Sequence, residues 1–483
     1  MTGRTETATV LSAAKLRSLR EKGWTAAAIW GGAHVLIGLL LHVSGQLGCN
    51  GNWADFWQIP GGGFLTGGAL SDLWYMHAQP PLYTLYLALL FRIFPAHETI
   101  FVLSNVLMAG VSVALLAMIL RWLQLPTILR RILLAVVLLH PALYVFAHYE
   151  LYAVPTVFLA TTAAAGLVRG VTVRELTPFV FALVTFALLI LTRSAYQLPL
   201  LLLPPLLAVR LLSRPQQRRL FAVTAATLLL VGAWYVKNQW QYGFFGTSSW
   251  YGMNLYKVVL AGGSVPEDFP ARETHGCVTV HPPFSPPHVY ADCGYNSRSS
   301  IPMIDRDDQH NVNIPAVSAA YASAAFSAIS ARPGRHVAHA FSGMQHWFYP
   351  SSVPLIWGPE KHHDFRQYER RYYGLLGGRY LARIIGVRSD LMWTYAAGTI
   401  LLLLAVARVL VRLVRGSATA VERAALGLAA LVAYNLVVSS LGEFGENNRF
   451  KFDVELLLLA GIAWTLTGIV QSLRNSFGRN VFA

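Results

Sequence analysis

The chain has 483 residues, 55% of them apolar and only 13% charged, and carries a net charge of +15. Long apolar runs in such a chain read as a polytopic α-helical membrane protein, because backbone polar groups in lipid must be satisfied within each helix. The excess of Lys and Arg is accounted for by the membrane, since these residues cluster beside the apolar runs as the positive-inside tendency requires. With no separable basic domain, nucleic-acid motif or low-complexity tract, a nucleic-acid partner is not expected.

Taken in order, the N-terminal segment is polar and basic without a small-residue cleavage site, so no cleaved signal peptide is expected. Lys15, Arg17, Arg20 and Lys22 precede the first apolar run, Trp24–Leu41, and place the N-terminus in the cytoplasm. The next stretch, 42–98, is then extracytoplasmic. It is rich in glycine and aromatics and carries Asp55 and Asp72 before running through His77-Ala78-Gln79-Pro80-Pro81-Leu82 into a short apolar segment. Pro80–Phe94 offers 15 residues, fewer than the roughly 20 a span needs. If it crossed, the following Arg121, Arg130 and Arg131 would face outward, so it is expected to lie in or dip into the interface.

Further spans are expected at Thr99–Leu120, Ile132–Ala147, Val154–Val168, Phe179–Leu191, Leu198–Leu212, Leu220–Tyr235, Leu391–Leu410, Arg423–Leu441 and Val454–Gln471. That makes an all-α protein of ten transmembrane helices with both termini cytoplasmic. It divides into an N-terminal membrane module (1–236), an extracytoplasmic loop region with interfacial helices (237–390) and C-terminal transmembrane helices (391–483). Within the loop region, Ile314–Ser330 reads as a helix packed on the membrane part. Cys49, Cys277 and Cys293 all fall on the outer side, where disulfides persist, and Cys277 with Cys293 is the expected pair.

Several residues invite a chemical reading. Asp55, flanked by Trp53, Phe56 and Trp57, suits a general base or metal ligand beside the membrane, against the alternative of a solvated loop acid; Asp72 reads as structural. Glu150 ends the third span, where charges near lipid are costly and often functional, or it is an ordinary helix-terminal acid. Arg193, Lys237, Arg449 and Lys451 are cations at outer helix ends, against the usual bias. They suit an anionic lipid headgroup, or they snorkel or pair with Glu443, Glu446 and Asp453. The loop histidines match no zinc spacing, apart from His336 and His339 on a possible helix face.

These residues together resemble the GT-C glycosyltransferases, polytopic enzymes that use polyprenyl-phosphate-linked sugars and include protein O-mannosyltransferases and lipid A aminoarabinose transferases. The His77–Leu82 segment resembles the family's His-Pro-Pro-Leu signature with two residues inserted. His148-Tyr149 before Pro155 resembles its Arg-Tyr motif, Asn238–Leu255 a recurring segment after the seventh span, and Glu446–Phe450 its C-terminal Arg-aromatic motif. Two departures stand out: Asp55 lacks a neighbouring second carboxylate, and Ala153-Val154 stand where an Asp often precedes the proline, leaving Glu150 one turn earlier as its substitute.

The resemblance implies an inverting transfer from a polyprenyl-phosphate sugar to a glycan, lipid or protein hydroxyl at the outer face of a bacterial inner membrane. Asp55 and Glu150 would be catalytic. His77, Gln79, Arg193, Lys237, Arg449, Trp53 and Trp57 would bind substrate. A divalent metal is left open. The alternatives are a polymerase or ligase of lipid-linked glycans, relying on cations of the long outer loop, and a lipid transporter without catalysis.

Overall fold

A computed structural model describes residues 13–49, 65, 67, 70–94, 96–149, 151–261, 280–295, 312–352, 363–384, 386 and 392–480. Their regular structure is helical. Among the described residues eight helices are long and apolar enough to cross a bilayer, nine if the bent pair Thr127–Leu138 and Pro141–Ala147 counts as one, which makes the chain an integral membrane protein.

Local sequence sets many of the helix ends. Ser213 and Gln216 form a capping box at the start of Arg214–Tyr242, with Pro215 in its first turn, and Gly243 ends it at φ 75°. Thr419 and Glu422 do the same for Ala420–Gly442. Helix Ala153–Val173 lies at the centre, packed against His97–Trp122, Leu176–Thr192 and Ala420–Gly442. Its small residues at 160–166 let the neighbouring backbones come close. Ala13–Val43 lies along His97–Trp122, and there Gly31 meets Gly110 so closely that a Cβ on Gly31 would stand 2.6 Å from the Gly110 carbonyl oxygen.

The ten expected spans are not all single helices. Prolines explain the differences. Pro141 starts a new helix after His140, bending the third crossing by 42°. The stretch expected as one span over 198–212 is a 3-10 turn, Leu198–Leu202, followed by the short helix Leu203–Ala208, because Pro199, Pro204 and Pro205 withhold amide donors. Leu176–Thr192 is 17 residues, at the lower limit for a span. Pro81–Ile93 is 13 residues, about 20 Å long at 1.5 Å per residue, well short of a hydrocarbon core of about 30 Å.

A second hydrophobic cluster stands apart from the membrane core. It joins Tyr251–Leu260, the 284–295 segment and Ile314–Ala331 around Tyr256, Tyr290 and Tyr321. The helix expected over 314–330 is present as Ile314–Ala331 and passes the length and hydropathy test for a span, but it packs mainly on Tyr251–Leu260 rather than on the membrane part as expected. Cys293 in this unit is disulfide-bonded; its expected partner, Cys277, lies outside the described residues.

Gly252 is the close point of that packing: its amide donates to Ser318 Oγ at 3.0 Å, and a Cβ there would lie 1.8 Å from the Ser318 carbonyl oxygen. Gly252→Ala must push the two helices apart, and overpacking of this kind costs about 1–3 kcal/mol. Limited proteolysis should cut the 250–331 unit faster in the variant while the membrane helices stay protected.

Candidate functional site

The site begins with a clamp between two segments far apart in sequence. Four successive backbone carbonyls, from Tyr75 to Ala78, each accept a hydrogen bond from the 237–249 region. Tyr242 Oη donates to Tyr75 O at 2.6 Å, Lys237 Nζ to Met76 O at 2.5 Å, the Ser249 amide to His77 O at 2.7 Å and Ser248 Oγ to Ala78 O at 2.5 Å. His77 adds a side-chain bond, Nδ1 to Ser249 Oγ at 2.9 Å, and its ring lies 4.8 Å from that of Tyr242. Pro80 and Pro81 follow, neither with an amide to satisfy, and Pro81 opens the next helix.

The clamp sets Gln79 at the wall of a cavity of about 1440 Å³. Other lining residues come from helix ends: Tyr152, Arg193, Tyr242, Glu443, Glu446 and Arg449; the second cluster contributes Trp250, Lys257, Phe284 and Phe326. A pocket for a drug-sized molecule holds roughly 300–1,000 Å³. This one is larger.

Three cations reach this cavity, each tied to one carboxylate. Arg193 Nη1 pairs with Asp453, whose other oxygen accepts from Tyr196 Oη at 3.2 Å. Arg449 Nη2 pairs with Glu446 at 2.9 Å, and Lys257 Nζ pairs with Glu443. Phe450 and Tyr152 flank the Arg193 guanidinium, at 4.2 and 5.0 Å from their ring centroids. Neither arginine is exhausted by its partner: Arg193 Nη2 and Arg449 Nε are buried with no hydrogen bond among the described residues.

The turn that presents Arg449 is built by its neighbours. Gly445 takes φ 94°, and Asn447 Nδ2 donates to Ser439 O and Glu443 O, both at 2.8 Å, closing the end of Ala420–Gly442. Below it, Lys451 Nζ donates to Tyr349 O at 2.6 Å. The two glutamates of the turn differ. Burial pushes the Glu443 carboxyl above its ordinary range against the pull of Lys257, whereas the Arg449 guanidinium holds Glu446 below it. Glu446 is thus the committed anion of the pair, and Glu443 is the carboxyl that more readily keeps a proton.

The sequence-based candidates divide accordingly. Gln79, Arg193 and Arg449 meet at the cavity. His77 and Lys237 are not among its lining residues; both are buried in the clamp behind the wall, with Lys237 Nζ also 3.9 Å from the Trp234 ring centroid. Lys451 is likewise spent inside. Asp55, Glu150, Trp53 and Trp57 lie outside the described residues. Among the described residues no group of three or more His, Cys, Asp or Glu is placed to hold a metal ion, and His339 is instead bonded to Val259 O at 2.9 Å.

Lys257 was not singled out from the sequence, and Trp250 entered only as part of the Asn238–Leu255 resemblance. The available signal was a lone cation inside the apolar run Tyr251–Leu260. Glu443 and Glu446 were anticipated only as partners for nearby cations, which is how they are placed. Compared with known proteins, the chain matches no family model, no curated protein and no solved structure.

His77 supplies a pH test. Burial, and then the charge of Lys237, lower its pKa from 6.5 to about 3. The unfolded state therefore binds the extra proton first, and stability falls as pH drops below about 6.5 and continues to fall toward 3. His77→Gln removes that proton acceptor, so its thermal midpoint should decline less than that of the parent chain between pH 7 and pH 4. Parallel declines would place the acid sensitivity elsewhere.

Proposed function

We propose that the cavity binds the phosphate of a polyprenyl-phosphate sugar and that the protein is an inverting membrane glycosyltransferase of GT-C type. One observation carries this reading: two buried arginines on one wall, Arg193 and Arg449, each keep an uncommitted N–H after pairing with a carboxylate. Buried donors without partners are costly. A phosphate oxygen would satisfy both, and charge-assisted bonds from guanidinium to phosphate are among the stronger ones. The volume suits a sugar phosphate with the start of a lipid chain and room for an acceptor.

Sidedness follows from which helix ends line the cavity. Tyr152 begins Ala153–Val173, while Arg193, Tyr242 and Gly442 end their helices, and all four line it. The opposite ends carry Arg169 and Arg174, Arg214, Arg218 and Arg219, and Arg423. The positive-inside tendency assigns that basic end to the cytoplasm and the cavity to the outer face.

In this reading the acceptor hydroxyl attacks the anomeric carbon opposite the phosphate. Its proton passes to Asp55, the bond from the anomeric carbon to the phosphate oxygen breaks, and polyprenyl phosphate leaves. Arg449 and Arg193 stabilise the charge that develops on the departing phosphate. Lys257, a cation of the long loop region at the same cavity, is the feature that favours the second reading, a ligase or polymerase of lipid-linked glycans.

Two variants test the assignment. Arg449→Ala should weaken binding of polyprenyl phosphate by roughly 10- to 100-fold, the equivalent of about 1.5–3 kcal/mol for a hydrogen bond to a charged group; unchanged affinity in a direct binding measurement rejects the phosphate role. Asp55→Asn should lower sugar transfer by at least ~10²-fold, the contribution of a positioned base, with donor binding retained. Near-parental transfer by that variant, together with loss in Lys257→Ala, would favour the ligase reading.

A further inference from the structure

The cavity has a neutral polar corner beside its cations. Gln79 is only 7% exposed and lines the cavity. Its Oε1 accepts from Ser194 Oγ at 3.0 Å, and its amide nitrogen makes no hydrogen bond among the described residues. Ser194 is itself held: Gln197 Nε2 donates to the Ser194 carbonyl, and Gln197 Oε1 accepts from Tyr235 Oη at 2.6 Å. Thr247 Oγ1 receives a further contact from Gln197 Nε2 at 3.4 Å. On the other side, the clamp through Tyr75–Ala78 fixes the backbone that carries Gln79.

The consequence is a donor with little freedom. With one lone pair of Oε1 engaged by Ser194, the Gln79 carboxamide turns its NH2 group toward whatever occupies the cavity. An anion would be drawn to the three cations, and a neutral amide adds little to them. It can, however, discriminate among neutral oxygens, because a site built to hydrogen-bond a hydroxyl or carbonyl rejects a ligand that leaves the buried donor unpaired.

We infer that Gln79 is a specificity residue for the sugar: its amide, positioned by the Tyr235–Gln197–Ser194 chain, donates to a hydroxyl or acetamido oxygen of the sugar while the arginines hold the phosphate. The inference rests on the donor reading given above. It also gives a role to one of the two residues inserted between His77 and the prolines. Trp250 and Phe284, whose rings meet edge to face at 5.2 Å on the cavity wall, supply the apolar surface a sugar face needs.

The test compares two probes on the full-length protein in lipid nanodiscs, undecaprenyl phosphate and undecaprenyl phosphate–hexose. Gln79→Met keeps the side-chain volume and removes the donor. It should leave affinity for the bare lipid phosphate within twofold and weaken the hexose-linked lipid by about 3- to 10-fold, the range for a neutral hydrogen bond. Ser194→Ala, which frees the amide to turn, should give a smaller loss confined to the hexose-linked lipid. Equal losses on both probes, or no loss on either, overturn the role of Gln79 while leaving the donor reading intact. If the parental protein binds neither probe, the donor reading itself fails, and this inference with it.

Discussion

The site depends on the run of carbonyls from Tyr75 to Ala78 and the donors that meet them. An extended segment buried beside a membrane helix bundle has no helix or sheet of its own to satisfy its backbone, and each unpaired carbonyl would cost roughly 1–3 kcal/mol. Here Tyr242, Lys237, Ser249 and Ser248 answer the four in turn. Two stretches separated by about 170 residues are thereby fixed together, and the prolines that follow have no amide in need of an acceptor. Lys237 and His77 are valuable as structure: they hold the wall upright so that Gln79 and its neighbours can face the cavity.

The arrangement of charges follows the same economy. A cation with no partner in a buried wall would be strongly destabilising, and removing one member of a buried pair typically costs 3–5 kcal/mol. Arg193, Arg449 and Lys257 each pair with a carboxyl group, which offsets the burial of their charge. Pairing through one nitrogen leaves the planar arginine fork with further donors, which a lysine ammonium presents less directionally. The wall can therefore be stable without ligand and still be short of acceptors. The glutamates of the 442–449 turn also divide their roles by environment, Glu446 held ionised by Arg449 and Glu443 pushed toward its protonated form by burial.

The unit formed by Tyr251–Leu260 and Ile314–Ala331 shapes the remaining side of the cavity. It packs on Pro333–Trp347 and Ala420–Gly442, where Lys257 pairs with Glu443 and His339 bonds Val259 O. Its own core is aromatic and separate.

Much of the plan was legible in the chain itself. Apolar runs and their flanking arginines identified a polytopic helical membrane protein, and the shortness of Pro80–Phe94 separated it from the spans, because both depend on length and hydropathy alone. Capping residues such as Ser213 and Thr419 likewise act within a few positions of their own helices. What sequence could not decide was partnership. Nothing local distinguishes Lys237, absorbed by Met76 O, from Arg449, which lines the cavity and pairs with Glu446, since both are cations at helix ends. Nor does composition show that Lys257 would stand opposite Glu443. Those outcomes rest on contacts between residues a hundred or more positions apart, and only the packed helices determine which buried donors are spent and which remain.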